Sequence, residues 1–216
     1  MYFGSAVTRR SGGLGWFLLL GVVAVVVWSR LGAADRLTWW LESLWVLVGI
    51  PVTIVIARTH RVTRLLLVLL AFHGVVLLVG ARYTYELVPI GEWVQAWIGG
   101  ARNDFDRFGH FLQGFVPAMI ARELLRRTST VGKGPWLIIL CIACALAFSA
   151  CFEMIEWRAS VLLGVAADSY LGSQGDPWDA QWDMFCALMG SIVAMTLLSR
   201  RHERELIEDG LARRQG

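Results

Sequence analysis

Three short stretches hold chemically active residue types at spacings that place them together on helices. In Asn103-Asp104-Phe105-Asp106-Arg107-Phe108-Gly109-His110, Asp106 and His110 stand four apart and share a helix face, with Gln113 following. In the stretch 149–157, Glu153 and Glu156 share a face with Ser149 one turn away. In the stretch 174–183, Asp179 and Asp183 are again four apart. Several carboxylates around one imidazole form a donor set for a hard or borderline divalent cation such as Mg, Mn, Fe or Zn. The expected ligands are Asp106, His110, Glu153, Glu156, Asp179 and Asp183. The expected catalytic groups are His110, Glu153, Glu156 and Arg107: His110 or Glu153 as general base or ligand, and Arg107 against an anionic headgroup. No HExxH or comparable short motif is present, so the metal expectation rests on clustering alone.

Each residue also has a plainer reading. Asp176-Pro177-Trp178-Asp179 reads as an N-cap, a first-turn proline and an acid at the third position. Asp106 falls in a first turn, where the helix dipole favours an acid. A structural salt-bridge cluster with Arg107 or Arg158 as partner is the competing account of the whole group. Capping explains neither His110 nor Asp183, which lie too deep, and the dipole opposes Glu153 and Glu156 near a helix end. Glu42, one turn inside its own apolar stretch, is left unassigned. His73 reads as a buried, hydrogen-bonded histidine. Cys141 and Cys144 have CxxC spacing, but they fall within an apolar run and read as small packing residues, continued by Ala143, Ala147 and Cys151 at four-residue steps.

The elements that must position these groups are membrane helices. Of 216 residues, 56% are apolar and only 17% charged, and the mean hydropathy is +0.57. A soluble domain carries about 25% charged residues, so an ordinary water-soluble globule and a disordered chain are both excluded. A net charge of +3 gives no reason to expect a nucleic-acid partner; membrane lipids are the expected partners. Six stretches approach the roughly 20 apolar residues a bilayer core requires: 12–30, 39–57, 65–80, 105–121, 136–157 and 182–199. The first lacks a clear cleavage site and reads as a retained anchor. Fourteen of the 20 Lys and Arg residues fall on the side of the two termini (residues 9–10, 58–64, 122–133 and 200–214). Five fall on the other side, and Arg107 lies within a span. By the positive-inside rule both termini are expected in the cytoplasm.

The expected fold is therefore an all-α polytopic bundle of about six transmembrane helices, a single domain over 1–216. It carries an outer interfacial segment at 83–104 and a charged tail at 200–216, the latter continuing the last helix into water. Trp39, Trp40, Trp136, Trp157 and Trp182 lie at span ends, where aromatic rings favour the interface. Pro89 stands where it would open a short amphipathic helix with Ile90, Trp93, Val94 and Trp97 on one face, the alternative being an extended loop. With a rise of about 1.5 Å per residue, His110 lies roughly 9 Å below Asp104, and Asp183 and Glu153 lie at similar depth. Three helices thus bring acids or a histidine to one level in the outer third of the membrane. Pro117 removes a backbone donor in the fourth span, where a kink would open a cavity beside the site.

The stretches RNDFDRFGHF, EMIEW, GSQGDPWDAQWDM and YTYELVPIGEW, spanning about 83–190, resemble the YjdF-like family of small bacterial inner-membrane proteins. That resemblance implies the fold and a bacterial inner-membrane location and supplies no reaction. A looser likeness to VanZ-like membrane proteins, associated with the cell envelope, rests on Asp106, Arg107, His110, Glu153 and Asp183. The functional expectation is an envelope-facing, metal-assisted enzyme acting on a lipid or lipid-linked substrate. The alternatives are a proton or cation transporter, which the apolar helices below Ser149 and Gln113 oppose, and a non-catalytic membrane scaffold.

Overall fold

A computed structural model describes residues 9–164 and 173–210, with side chains from Gly13 onwards. The described residues are helical throughout their regular structure. Among the described residues seven helices run in order: α1 (Arg9–Leu31), α2 (Arg36–Thr59), α3 (Arg64–Tyr83), α4 (Pro89–Ile98), α5 (Phe105–Thr128), α6 (Pro135–Leu163) and α7 (Asp179–Glu208). Local signals explain several ends. Asp35 caps α2, its carboxylate accepting from the Thr38 N–H at 2.7 Å. Thr63 caps α3 through its hydroxyl to the Leu66 N–H. Pro89 opens α4 at its first turn, and Gly99 closes it in the left-handed region at φ 68°.

Five of these helices (α1, α2, α3, α6 and α7) are long and apolar enough to cross a membrane. The 24-residue α5 is long enough but too polar. Its position accounts for that: it packs against α3, α6 and α7, and its contact with α7 is the most extensive between any two helices. A helix walled by other helices need not present an apolar exterior to lipid, and the buried residues of α5 include Asp106, His110, Gln113, Arg122, Glu123 and Arg126.

Gly114 on α5 and Gly190 on α7 permit the close crossing. A Cβ on Gly114 would fall on the Ala187 carbonyl, and one on Gly190 on the Phe111 carbonyl. Small residues that let backbones approach are the usual device for helix pairs in lipid. One apolar core, around Leu65, Ala118, Met119, Cys141 and Met195, joins α3, α5, α6 and α7. A second, of Val22, Val46 and Leu78, joins α1, α2 and α3.

Several details differ from the sequence expectations. The buried stripe of α6 is Cys141, Ala145, Ser149, Phe152 and Glu156, while Ala143, Cys144, Ala147 and Cys151 face outward. Four-residue steps alone do not say which stripe faces the protein. Helix α7 does not run into water after Ser199: His202, Glu203 and Leu206 are buried, so 200–208 is packed helix rather than free tail, and 211–216 lie outside the described residues. Asp176 does not cap α7. Its carboxylate accepts from the Trp178 N–H, forming a turn that precedes the helix. Trp39 is buried, with its indole N–H on the Ser29 hydroxyl at 3.1 Å, whereas Trp40, Trp136, Trp157 and Trp182 are exposed. Helix α4 forms, and Ile90, Trp93, Val94 and Trp97 are exposed.

Candidate metal centre

At one end of the bundle α5, α6 and α7 bring their acids and histidine together. His110 is 4% exposed, its ring edge-on to Phe152 with centroids 5.6 Å apart. Its Nε2 lies 3.6 Å from Asp106 Oδ1 and 4.0 Å from Asp183 Oδ2, and its Nδ1 lies 3.4 Å from Glu153 Oε1. Asp106, His110 and Asp183 each offer a ligand atom within 4.8 Å of the others, and all three are buried. Metal–oxygen and metal–nitrogen bonds near 2.1 Å put ligand atoms about 3.0–3.6 Å apart at ordinary coordination angles and about 4.2 Å apart only across an ion, so the three groups would draw together by roughly half to one ångström to hold one.

Polar satisfaction points the same way. His110 Nδ1, Glu153 Oε1 and Asp183 Oδ1 are buried with no hydrogen-bond partner among the described residues. Leaving such atoms unpaired costs about 1–3 kcal/mol each. Beside them lies a small cavity of about 10 Å³, room for roughly one water, whose walls include Glu42, Tyr85, Asp106, His110 and Glu156.

The expected residues therefore divide. Asp106, His110 and Asp183 converge, Glu153 adjoins them, and Glu156 lines the same small cavity. Asp179 instead accepts from Arg102 at 2.6 Å. Arg107 bonds Asp104 at 3.2 Å and Asp176 at 2.8 Å, and its guanidinium lies 5.4 Å from the Trp182 ring centre. Arg158 is exposed and makes no ion pair among the described residues.

Arg102, which the sequence reading treated only as a loop charge, is the hub of this outer network. Besides Asp179 it reaches Asp104 at 3.5 Å, Asp176 at 3.7 Å and Asp106 at 4.0 Å. Burial works against its charge, but the hydrogen bond and charge of Asp179 outweigh that and hold its pKa above the ordinary value. Asn103 and Gln174 lock the two loops together: Gln174 accepts from the Asn103 N–H and donates to the Asn103 carbonyl, both at 2.9 Å. Glu42 and Tyr85 also went unassigned. Tyr85 reaches the site because Thr84 and Tyr85 adopt left-handed backbone, at φ 55° and 56°, folding the ring back against Gly80.

A second buried network lies at the opposite end. Arg122 donates to His202 Nδ1 at 2.7 Å, and His202 Nε2 lies 3.0 Å from Glu123. Guanidinium can only donate, so Nδ1 accepts and the ring proton sits on Nε2, directed at Glu123. Glu123 also accepts from the Thr63 N–H and hydroxyl, and Glu203 binds both Arg122 and Arg126. Every principal partner is satisfied here, which marks a structural clamp and contrasts with the orphaned atoms around His110.

The architecture and site define a polytopic helical membrane protein with a buried acid–histidine cluster at one end. Residues 14–204 match the family described as "Predicted membrane protein (DUF2238)", and the chain belongs to that family. It is 42% identical over 193 residues to the inner membrane protein YjdF of Escherichia coli (strain K12), covering 89% of this chain and 92% of that protein. No solved structure matches the chain. Family membership and the apolar helices make this a multi-pass bacterial inner-membrane protein.

Proposed function

We propose that the protein is a membrane enzyme acting on an envelope lipid or lipid-linked substrate, with a divalent cation held by Asp106, His110 and Asp183. The observation that carries this reading is the convergence of those three buried groups from two helices, with orphaned polar atoms around them. A cation there supplies Lewis-acid polarisation of a substrate oxygen and activation of water. Glu153, 3.4 Å from His110, is placed to take the proton from attacking water. Glu156 and Glu42 border the same small cavity and complete its acidic wall.

The topology that goes with this reading has six spans and both termini in the cytoplasm, α5 crossing inside the bundle. It rests on the fourteen-to-five distribution of basic residues. It puts the cluster at the outer headgroup level, the level that an amphiphilic substrate would reach.

The test is a comparison of extracted envelope lipids from cells lacking the protein, complemented with wild type or with Glu153→Gln. One lipid or lipid-linked species is expected to build up in the null strain, clear with wild type and persist with Glu153→Gln at equal protein levels. Identical lipid profiles in all three would exclude the enzymatic reading. A scaffold is the second reading, favoured by the closed ion network of Arg102 and Arg107. It predicts that the same Glu153→Gln variant complements fully.

A further inference from the structure

A large cavity among the described residues lies beyond the acidic cluster. It has a volume of about 840 Å³, within the range of sites for small ligands. Its wall is largely apolar and built by five helices: Val22 of α1, Ile50 of α2, Leu70 and Leu77 of α3, Ile120 of α5 and Phe148 of α6. It runs along α3 from Arg64 to Leu77, thirteen residues apart, or about 20 Å at 1.5 Å per residue. That is about half the 40–45 Å thickness of a bilayer with its headgroups, the depth of one leaflet.

The two ends of this chamber differ in chemistry. Its rim carries Arg58, Arg61, Arg64 and Arg201 against Glu205, Glu208 and Asp209, four cations to three acids. Glu205 and Arg201 offset each other within the rim, and the Asp209 carboxylate is committed outside it. Glu205 accepts from the Leu65 N–H at 2.8 Å and pairs with Arg201, and the Asp209 carboxylate pairs with Arg127. Arg58 is exposed with no ion pair among the described residues, and the Arg61 guanidinium bonds the backbone carbonyl of Asp209. Cationic groups therefore stand at the mouth of an apolar chamber one leaflet deep.

We propose that this chamber binds an anionic phospholipid from the leaflet at the arginine-rich end, its phosphate at Arg58 and Arg61 and an acyl chain along α3. Charge complementarity at the mouth and length along the wall select that occupant over a neutral lipid or a free anion. The chain would end against Gln113 and Phe152, which line both this chamber and the small acidic cavity. Phe152 in turn abuts His110, so chain occupancy bears on the packing beneath the cluster.

Gly49 provides the test. It lines the chamber, and a Cβ there meets nothing within 4 Å, so Gly49→Leu fills the space without a first-atom clash. The full chain is loaded from vesicles of equal phosphatidylglycerol and phosphatidylcholine, transferred to detergent, and its retained lipid measured by native mass spectrometry. Wild type is expected to retain phosphatidylglycerol in preference, and Arg58→Gln to cut that preference about fivefold, as one basic group near an anionic lipid implies. Gly49→Leu is expected to retain neither lipid while melting no lower than lipid-free wild type. Retention by Gly49→Leu equal to wild type, or no headgroup preference in wild type, would overturn the assignment. Arg58→Gln, at an exposed position, keeps the test decisive should Gly49→Leu fold poorly.

Discussion

At the scale of single residues, two kinds of buried charge separate. Arg102 sits among Asp104, Asp106, Asp176 and Asp179 and neutralises the loops that close the end of the bundle. Arg102→Ala is expected to cost about 3 kcal/mol, the penalty of stranding a buried partner, read as a lowered melting temperature in detergent. Arg102→Lys should recover only part of this, since an ammonium cannot spread donors over several carboxylates. The ligand candidates were legible in the sequence because ionisable groups within apolar runs stand out at once. Arg102 was not, because an arginine in a polar loop looks like any topological charge until the fold brings α7 beside it. Glu42 and Tyr85 escaped for a related reason: one is a lone acid, and the other reaches the site only through left-handed backbone that no local motif announces.

At the scale of elements, caps and crossings carry the fold. The Asp35 pKa is held below its ordinary value chiefly by the Thr38 N–H. Its cap therefore contributes in full above the unfolded carboxylate pKa of about 3.9 and fades as pH falls through the lower folded value. Asp35→Ala should cost about 1 kcal/mol at neutral pH, a difference that shrinks under acid. Asp35→Asn should keep most of the cap without that pH dependence; melting curves across pH check both. The α5–α7 crossing is stricter. Gly114→Ala or Gly190→Ala places a Cβ on a backbone carbonyl that cannot swing aside, and each is expected to lower stability by about 1–3 kcal/mol or more. Thermal unfolding of each variant reads that loss, and wild-type stability in both would refute the close crossing.

Most of the helices were legible as apolar runs. The central place of α5 was legible only indirectly, since a polar helix among apolar ones reads either as a buried span or as none. The outward stripe of α6 was misread because small residues occur on two of its faces, and only packing chooses between them. The packed end of α7 was missed because its charges, seen singly, look solvated; their partners lie some 80 residues away on α5.

At the scale of the whole molecule, two ends of the bundle do different things. One end holds a saturated clamp of Arg122, Arg126, Glu123, His202 and Glu203; the other holds an unsaturated cluster around the buried Asp106, His110 and Asp183. The most direct measurement is elemental analysis of the purified chain beside an Asp106→Asn, Asp183→Asn double variant. A near-stoichiometric divalent metal in wild type, lost in the variant while helical content is retained, is the predicted result. Metal-free wild type after purification in metal-replete buffer, with the variant equally stable, would contradict the metal centre and leave the acids as part of a scaffold.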